Sequence, residues 1–583
     1  MKRIIVAVTI LLLVALLSTH CAKVVSPSGG AKDTIPPTLI RSVPAHSATN
    51  FSGKKITLSF NEFVQLKDLN QKLILSPPQK NLPVVKLKGK SLEVVFAEDL
   101  MDSTTYTLYF SDAIIDNNEG NKLGNFEFAF STGPFIDSLT LSGTVIDAFT
   151  LEPVDGILVM LYTNFADTMP IKQRPMYVTK TNKEGLFKLI NLRSSDYKIF
   201  ALKDLNSNYL FDQVSESVAF SSTRVSRSQL NWSTQNDSIV DSLHLLKHKP
   251  IELKLFTEES RILKLTDYSR PLQRKLAFVF SSPAIGNVTV SLLNSEISEP
   301  WYFSEPSTKG DSVTFWITNN QIAAIDSLIA KVEYQITDSL FNLVPTVDTL
   351  RFFYAETKPV QKKGMPAETK KFPMKMSGAR GNRIKPNQQV NLVFGVPLKE
   401  LNPKLITLTY AKDSINLEGF TIEKDSLSTR KYNFSYKWEA GKQYKMSIFP
   451  EAFINLDGEK NDTTIFKFEV EVPEDFGVIN LAVKGVKQNV IVELITEKGK
   501  TVEQQVLTSS GTVQFSFIKP ENYSFRFIID GNANGKWDTG YYIEGIQPEK
   551  VIYYNEVGKR KVVTIRKNWE YDFTFDLEPY LNN

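Results

Sequence analysis

Short runs that alternate apolar and polar residues recur along almost the whole chain, separated by Pro, Gly, Asn or Asp. Examples are KITLSF from Lys55, SLEVVF from Ser91 and VNLVF from Val390. A period of two places successive side chains on opposite faces of a strand, whereas helical periodicity is confined to residues 64–73 and 321–329. Because no amphipathic helices separate the runs, the sequence predicts an all-β chain of serial antiparallel β-sandwich domains.

Two kinds of segment each occur twice, and their order gives the order of the domains. Residues 58–74 resemble residues 392–406. Further along, YTLYFSDAIIDNNEGN from Tyr106 resembles YKMSIFPEAFINLDGEKN from Tyr444. These segments predict two copies of one sandwich, which we call modules A1 and A2.

A second kind of module, called B1 and B2, follows each of these sandwiches. Tyr197 and Tyr523 each stand seven residues before an aspartate that opens an Asp/Asn-rich loop. The twelve residues before each tyrosine align without gaps, so that Leu192 matches Ile518. The predicted domains are A1 at 36–134, B1 at 135–249, a middle β-sandwich at 250–355, a basic linker at 356–375, A2 at 376–473 and B2 at 474–583.

Composition and charge narrow the range of partners. The formal net charge of the chain is +4, and this value includes Lys2 and Arg3 of the N-terminal segment. An excess of positive charge this small predicts no nucleic-acid partner. Basic residues cluster instead in the linker, which is either an extended connector kept solvated by its charges or a contact for anionic head groups. The 38 Phe and 21 Tyr residues, with turn residues spread evenly between them, favour many short strands.

The N-terminus predicts export and a lipid anchor. A basic start precedes an apolar run that is too short to span a bilayer, and Cys21, the only cysteine in the chain, follows it. We therefore expect residues 1–20 to be a lipoprotein signal peptide, residues 21–35 to be a tether, and Cys21 to carry a covalent lipid that attaches the protein to a membrane. His20 departs from the small residue usual before such a cysteine, so an ordinary secretory signal is the alternative.

Three motifs near the N-terminus carry a family resemblance: GGAKD from Gly29, PP from Pro36 and FNE from Phe60. With these motifs the chain resembles Bacteroidota lipoproteins that carry a surface-layer-type (SbsA-type) bacterial Ig-like domain. LSGTVIDAFTLEPVDGILVMLY from Leu141 resembles the first hairpin of a transthyretin-like or carboxypeptidase-regulatory β-sandwich. The resemblance implies Ig-like A modules, transthyretin-like B modules and an outer-membrane lipoprotein of the cell envelope. Since no acidic residue stands between the lipidated cysteine and Asp33, it also implies domains that face the periplasm, with surface exposure as the alternative.

The sequence predicts a protein that is not an enzyme. His46, His244 and His248 lack metal-ligand spacing, and no G-x-S-x-G elbow is present, although glycosidase carboxylate pairs stay open because they carry no local signature. Two function classes remain. One is a tethered scaffold or adhesion-type protein with envelope proteins as partners, and the other is an accessory module that binds a glycan or a peptide. Three tryptophans, which are otherwise core residues, are candidate stacking faces for a glycan: Trp301, Trp316 and Trp438.

Each B module contains a loop that predicts a calcium site. Asp or Asn side chains at positions one, three, five and nine, with a backbone carbonyl at position seven, supply oxygen ligands to a hard cation at an affinity of about 0.1 to 1 mM. Gly535 suits the sharp turn at position six of the second loop, whereas Tyr209 does not suit the first. Position twelve lacks an acid, and Glu216 and Glu544 are the alternatives, while an Asx-rich turn without metal is the competing interpretation. The candidate ligands are Asp204, Asn206, Asn208, Leu210 and Asp212 in the first loop and Asp530, Asn532, Asn534, Lys536 and Asp538 in the second.

A short triplet recurs thirteen times: Asp, then Ser or Thr, then a residue such as Ile, Leu, Val, Met or Thr. It resembles the O-glycosylation site of exported Bacteroidota proteins. The alternative is turn chemistry, since Asp and Ser side chains both bond nearby backbone amides. The triplets begin at Asp33, Asp102, Asp137, Asp167, Asp237, Asp241, Asp311, Asp326, Asp338, Asp348, Asp413, Asp425 and Asp462.

Overall fold

The regular structure is almost entirely antiparallel β-strand, and the helices are single short turns. The prediction of an all-β chain of sandwiches is therefore confirmed. The structure, a computed structural model, describes residues 32–232, 250–283, 286–297, 300–338, 342–355, 372–379, 381–412, 415–556 and 559–581.

The chain forms two compact units. One unit contains A1 and most of B1, and the other contains the middle sandwich, A2, B2 and two short pieces of B1. Their bounds are Met1–Val145, Pro153–Phe211 and Phe220–Leu253 for the first unit, and Ile146–Glu152, Asp212–Ala219 and Lys254–Asn583 for the second.

Module A1 is a sandwich built from strands whose side chains alternate between the core and the surface. In strand Lys55–Phe60, for example, Ile56, Leu58 and Phe60 are fully buried. The helical pattern predicted over residues 64–73 amounts to one turn, Leu69–Lys72. The strands are Leu39–Val43, Lys55–Phe60, Val64–Leu66, Ile74–Ser76, Val84–Lys88, Ser91–Val95, Thr105–Tyr109, Ile114–Asp116 and Glu127–Ser131.

Module A2 repeats this arrangement in the second unit. Its four-stranded sheet has Val390–Phe394 next to Lys431–Ser435, with Met374–Ser377 and Thr421–Lys424 at the edges. Strand Met374–Ser377 begins inside the predicted linker. The predicted boundary at residue 375 is therefore wrong, because it falls within this strand. The remaining elements are strands Arg383–Ile384, Leu398–Leu401, Ile406–Tyr410, Asn416–Leu417, Gln443–Ile448, Phe453–Asn455 and Thr464–Val470 and the 3₁₀ turn Pro403–Leu405.

A buried tyrosine makes the same hydrogen bond in both A modules. The Tyr106 hydroxyl accepts from the backbone N–H of Met101 at 2.8 Å, and the Tyr444 hydroxyl accepts from the backbone N–H of Glu439 at 2.9 Å. In each module the donor lies five residues before the tyrosine. The repeat read from the sequence therefore extends to individual side-chain contacts.

Modules B1 and B2 also share a tyrosine contact. The hydroxyls of Tyr197 and Tyr523 donate to the carbonyls of Arg193 at 2.6 Å and Lys519 at 3.0 Å. Each of these bonds ties the start of a core strand to the turn before it. In B1 the strands are Leu139–Asp147, Leu158–Tyr162, Tyr177–Lys180, Leu186–Leu192, Lys198–Leu202, Ser217–Phe220 and Asn231–Trp232, with helix Met169–Lys172 and the 3₁₀ turn Arg227–Gln229.

In B2 a parallel pair interrupts the antiparallel pattern. The C-terminal strand Glu570–Asp576 runs parallel to Gly477–Lys484 at the start of the module. The other strands are Val490–Thr496, Thr501–Leu507, Gly511–Ile518, Asn522–Ile529, Val551–Tyr553, Asn555–Glu556, Lys559–Arg560 and Val563–Thr564, with the 3₁₀ turn Pro473–Asp475 and helix Glu578–Leu581.

The middle segment contains a four-stranded and a three-stranded sheet around one core, and it begins later than residue 250. Strand Ile251–Thr257 pairs with Ser217–Phe220 of B1, where Thr257 faces Ser217, so the predicted boundary between B1 and the middle sandwich is wrong. The helical pattern predicted over residues 321–329 corresponds to a single helical turn in the structure, Asn320–Ala323. The strands are Leu265–Leu272, Lys275–Phe280, Thr289–Leu292, Tyr302–Pro306, Ser312–Ile317, Ser327–Thr337 and Leu343–Phe353.

A turn early in the chain completes the core of the second unit. Phe149, in the piece Ile146–Glu152 of that unit, packs with Trp537 at 5.0 Å between ring centroids. The Arg526 guanidinium lies 4.1 Å from the Phe149 ring, and the Tyr553 hydroxyl donates to the Phe149 carbonyl at 3.3 Å. The aromatic ring thus covers a buried cation of B2.

Candidate functional site

The second Asp/Asn loop directly follows strand Asn522–Ile529 and is organised by its first aspartate. Asp530 is buried, and its two carboxylate oxygens accept from the backbone N–H groups of Asn534 at 3.1 Å and Gly535 at 2.9 Å. Gly535 has a φ of 76°, in the left-handed region that glycine adopts without strain. The predicted turn at position six is therefore present.

The other predicted side chains of this loop converge on Asp538. Its Oδ2 accepts from the side-chain amide nitrogens of Asn532 at 2.5 Å and Asn534 at 2.6 Å, and the Lys536 ammonium lies 3.5 Å from Oδ1. The amide oxygens accept backbone N–H groups instead, from Asn534 and Lys536. This is the hydrogen bonding of an Asx-rich turn, and a cation would require both amides to turn their oxygens inward.

Glu549 is the functional residue that sequence reasoning missed in this loop. Its carboxylate accepts from the backbone N–H groups of Gly531 at 2.7 Å and Asp538 at 3.1 Å, so it spans the loop from end to end. Burial raises the pKa of Glu549, and the nearby charges of Asp538 and Asp530 add to this effect. Glu544, the predicted alternative, instead forms an ion pair with Arg261. The return strand Val551–Tyr553, which pairs with the strand before the loop, is the signal that points to Glu549.

The first loop has the same backbone conformation as the second. Asp204 accepts from the backbone N–H groups of Ser207 at 2.6 Å and Tyr209 at 2.9 Å. Tyr209 takes a φ of 63°, so the expectation that it cannot form the turn of position six is wrong. Asn208 accepts from the Leu210 N–H at 2.7 Å, and Asn206 from the Asn208 N–H at 3.2 Å.

Asp212 and Glu216 lie in a separate turn of the second unit. The Glu216 carboxylate is buried and accepts from the backbone N–H groups of Asp212 and Gln213, both at 3.2 Å. In the described part of the chain, no three His, Cys, Asp or Glu side chains come together as a metal site would require. Calcium at either loop thus stays a prediction.

The tryptophans predicted as stacking faces are core residues. Trp301 is 1% exposed and Trp316 is fully buried, while Trp438 packs against the core of A2. The glycan alternative is therefore wrong in its choice of residues. Trp569, which the sequence analysis did not single out, is 54% exposed and lies parallel to Tyr571 with ring centroids 6.0 Å apart.

The Asp-Ser/Thr triplets fall in different environments. Asp425 accepts from the backbone N–H groups of Leu427 and Ser428, which is turn chemistry, and Asp137 is buried against Thr105. Glycosylation stays a prediction at the triplets. Several predicted features lie outside the described residues: Cys21, the signal peptide, most of the basic linker, His244, His248, Asp237, Asp241 and Asp413.

Comparison with known families identifies one domain. Residues 33–132 match the family model of the bacterial Ig-like domain (Big_5). Module A1 therefore carries a bacterial Ig-like domain, as its motifs imply. None of the curated proteins matches the chain. Within the described ranges, no helix has the length and apolar character needed to cross a membrane.

Several solved structures match the chain at low similarity. A Bacteroides ovatus mixed-linkage glucan utilization locus protein, SGBP-B, in complex with a heptasaccharide is 10% identical, covers 62% of this chain and 81% of its own, and has a TM-score of 0.17. The surface layer protein SbsC, domains 1–6, is 12% identical over 91% of this chain and 67% of its own, with a TM-score of 0.13. The Bacillus anthracis TIE protein is 10% identical, covers 94% of this chain and 76% of its own, and has a TM-score of 0.14. At these values the likeness carries no argument about function.

Proposed function

We propose that the protein is a non-enzymatic, lipid-tethered scaffold or adhesion-type protein of the cell envelope. The observation that supports this most is the polar junction between the middle sandwich and A2. A scaffold must hold successive domains in fixed positions, and buried, fully bonded charges between domains do so because each fits one geometry.

Glu305 is the centre of this junction. It is 6% exposed and accepts from the Trp316 indole at 2.8 Å, the hydroxyls of Thr429 at 2.7 Å and Ser428 at 2.9 Å, and the Arg430 guanidinium at 3.1 Å. Burial opposes the charge on Glu305, but these four donors outweigh burial and hold its pKa below the usual range. The middle sandwich contributes the acid and the indole, and A2 contributes the remaining donors.

A second cation supports the same junction from the other side. Arg274 of the middle sandwich donates to the Asp457 carboxylate of A2 at 2.9 Å and to Asn320 at 2.6 Å. It also donates to the carbonyl of Ile317 at 3.2 Å. Because Arg274 is buried, separation from Asp457 would leave its charge without this partner, and the contact therefore opposes opening of the junction.

The scaffold proposal is tested by crosslinking and affinity purification of the full chain from envelope membranes. Envelope proteins should be recovered with the wild-type chain. Glu305→Ala should reduce the number of envelope proteins that are crosslinked to the chain. Glu119→Ala, which replaces an exposed side chain in A1, should leave that number unchanged. Recovery of no envelope protein, or of the same partners from both variants, argues against a scaffold that works through this junction.

Membrane attachment through Cys21 is part of the proposal and has its own test. Cys21→Ala should move the protein into the soluble fraction, since the lipid supplies the membrane affinity. Unchanged membrane association would contradict it. Protease treatment of intact cells distinguishes a periplasmic orientation, which leaves the protein intact, from exposure on the surface.

A glycan-binding module is the second candidate, and the exposed Trp569 favours it. An indole that lies parallel to a neighbouring phenol offers apolar faces on which a sugar ring can stack. Binding of neutral oligosaccharides, lost in Trp569→Ala and kept in Phe353→Ala, which removes another exposed aromatic side chain, would select this function. Calcium at the B loops and sugar on the Asp-Ser/Thr triplets complete the proposal. The intact mass of the native protein tests the glycosylation. A mass that leaves no room for sugar on the mature chain excludes glycosylation.

A further inference from the structure

A cleft lies where A2 meets B2. Its volume is about 340 Å³, and its lining includes Arg383 and Lys385 from A2 and Lys500 and Lys519 from B2. Against these four cations stand only two acids, Glu471 and Glu521. The adjoining depression, about 680 Å³, shares Lys500 and Glu521 with it and adds Lys498 and Glu497. We call the first of these spaces the cationic cleft.

Two of the cleft lysines are held in place by their backbones while their side chains stay without an acidic partner. The Lys500 N–H donates to the Thr496 hydroxyl at 3.2 Å in a tight hairpin turn, and the Lys519 carbonyl accepts from the Tyr523 hydroxyl at 3.0 Å. Both side chains are exposed, and neither forms an ion pair within the described residues. Arg383 comes no closer than 3.9 Å to Glu469. Cations that outnumber the acids of a concave site raise the local concentration of anions.

The first A–B pair shows what these positions do when no cleft is present. By the alignment of the two B modules, Arg193 corresponds to Lys519. Arg193 donates to the Ser103 carbonyl at 2.6 Å and lies 3.9 Å from Asp137, so its charge is used within the first unit. The aspartate of B2 that matches Asp137, Asp475, is bonded to Lys567 instead, at 2.9 Å. Lys519 has therefore lost the acid that its counterpart faces.

We propose that the cationic cleft binds a small oligoanion, a molecule that presents two or more carboxylate or phosphate groups close together. The cations of two modules line one space of ligand size, and Thr496 and Tyr523 line it beside them. The carboxylates of an acidic saccharide and the phosphates of a phosphate ester share this chemistry. Lysine and arginine bind both kinds of group.

The test is calorimetric titration of the full chain at about 50 mM salt, where exposed charges are weakly screened. Tetragalacturonate supplies carboxylates, inositol hexakisphosphate supplies phosphates, and cellotetraose is the neutral control. The variant Lys500→Ala/Lys519→Ala removes the two unpaired cations. The matched control, Lys424→Ala/Lys484→Ala, removes two exposed lysines that do not line the cleft.

We expect at least one charged probe to bind, with affinity about tenfold weaker or worse in Lys500→Ala/Lys519→Ala and unchanged in the control. The single variant Lys500→Gln should fall between wild type and the double variant, which separates loss of charge from loss of fold. Preference for tetragalacturonate assigns a saccharide, and preference for the phosphate assigns a phosphate ester. Absence of binding by both charged probes, equal binding by cellotetraose, or equal weakening in the control variant overturns the proposal.

Discussion

The two A–B pairs have matching cores but different junctions. In the first pair, the Asn191 side chain donates to the Thr107 hydroxyl at 2.8 Å, and the Val178 N–H donates to the Ser76 hydroxyl at 3.1 Å. The space that remains beside these bonds between A1 and B1 is about 20 Å³. In the second pair the junction instead contains the cationic cleft, with a volume of about 340 Å³. The tyrosine bonds of the cores persist in both copies. Duplicated sandwiches have thus kept the contacts that fold each module, while the surfaces between modules have diverged.

The largest difference between the copies should appear at the loop that follows strand Ile114–Asp116 in A1 and strand Phe453–Asn455 in A2. The buried Asp116 accepts from four backbone N–H groups, of Asn118, Glu119, Gly120 and Asn121, whereas Asn455 of A2 accepts from one, that of Glu459. Asp116→Ala leaves four donors without a partner and should raise amide exchange in A1 about tenfold or more. Asn455→Ala should raise exchange in A2 by less. Hydrogen exchange with mass spectrometry reads both modules in one chain, and equal effects would show that the two loops are equivalent.

Calcium should stabilise B2 through the loop of Asp530. At about 5 mM calcium and a dissociation constant of about 0.5 mM, B2 should gain about 1.4 kcal/mol in free energy of unfolding. Thermal unfolding of the full chain, with and without the ion, measures the gain. Asp530→Ala should abolish it and Asp204→Ala should leave it in place. A shift that survives Asp530→Ala would place the ion elsewhere, and no shift leaves the Asx-rich turn as the explanation.

The junction cations should differ in their structural role. Arg193→Ala removes a bond to the Ser103 carbonyl and should cost A1 and B1 about 1 kcal/mol, given that the side chain is half exposed. Lys519→Ala should cost B2 less than about 0.5 kcal/mol, because its side chain has no ion pair. Amide hydrogen-exchange rates of the strands on either side of each junction measure the effects of the two substitutions. A larger effect at Lys519 would mean that the cleft is structural.

The smallest effect is a pH dependence confined to A1. Lys122 and Lys72, at 2.6 and 2.8 Å, hold the pKa of Asp112 at about 2, below its ordinary value of 3.8. A depressed folded pKa adds stability above pH 4 that is lost as the pH falls from about 4 to about 2. In A2 the matching pair, Glu451 and Lys460, is exposed and lacks a second lysine. A1 should thus lose more protection than A2 over this range, and Asp112→Asn should remove the difference.

The period of two and the internal repeat were enough to predict the strands and the order of modules. Alternation decides which face of a strand is buried, and that pattern is local in sequence. The boundary at residue 250 could not be found this way, because strand Ile251–Thr257 has the same pattern whichever sheet it joins. Its partner, Ser217–Phe220, is chosen by pairing across more than thirty residues of chain.

The candidate sites were less predictable for the same reason. Glu549 reaches the loop of Asp530 only because a returning strand brings it there, and spacing within the loop gives no sign of it. Tyr209 takes the left-handed conformation against its intrinsic preference, because the Asp204 carboxylate accepts its N–H. Trp316 is buried because its indole donates to Glu305, a partner on the neighbouring strand.

The contact of Phe149 with module B2 gives the chain an order of assembly. Phe149 and Tyr553 are 404 positions apart, so this part of the B2 core cannot close until almost the whole polypeptide has emerged. A nascent or truncated chain would carry an exposed aromatic turn for that time, a surface that chaperones and aggregation both recognise. Such a long-range contact also makes late folding slow, since the loop must close before the contact is gained. Module B2 thus depends on a residue that was made long before it.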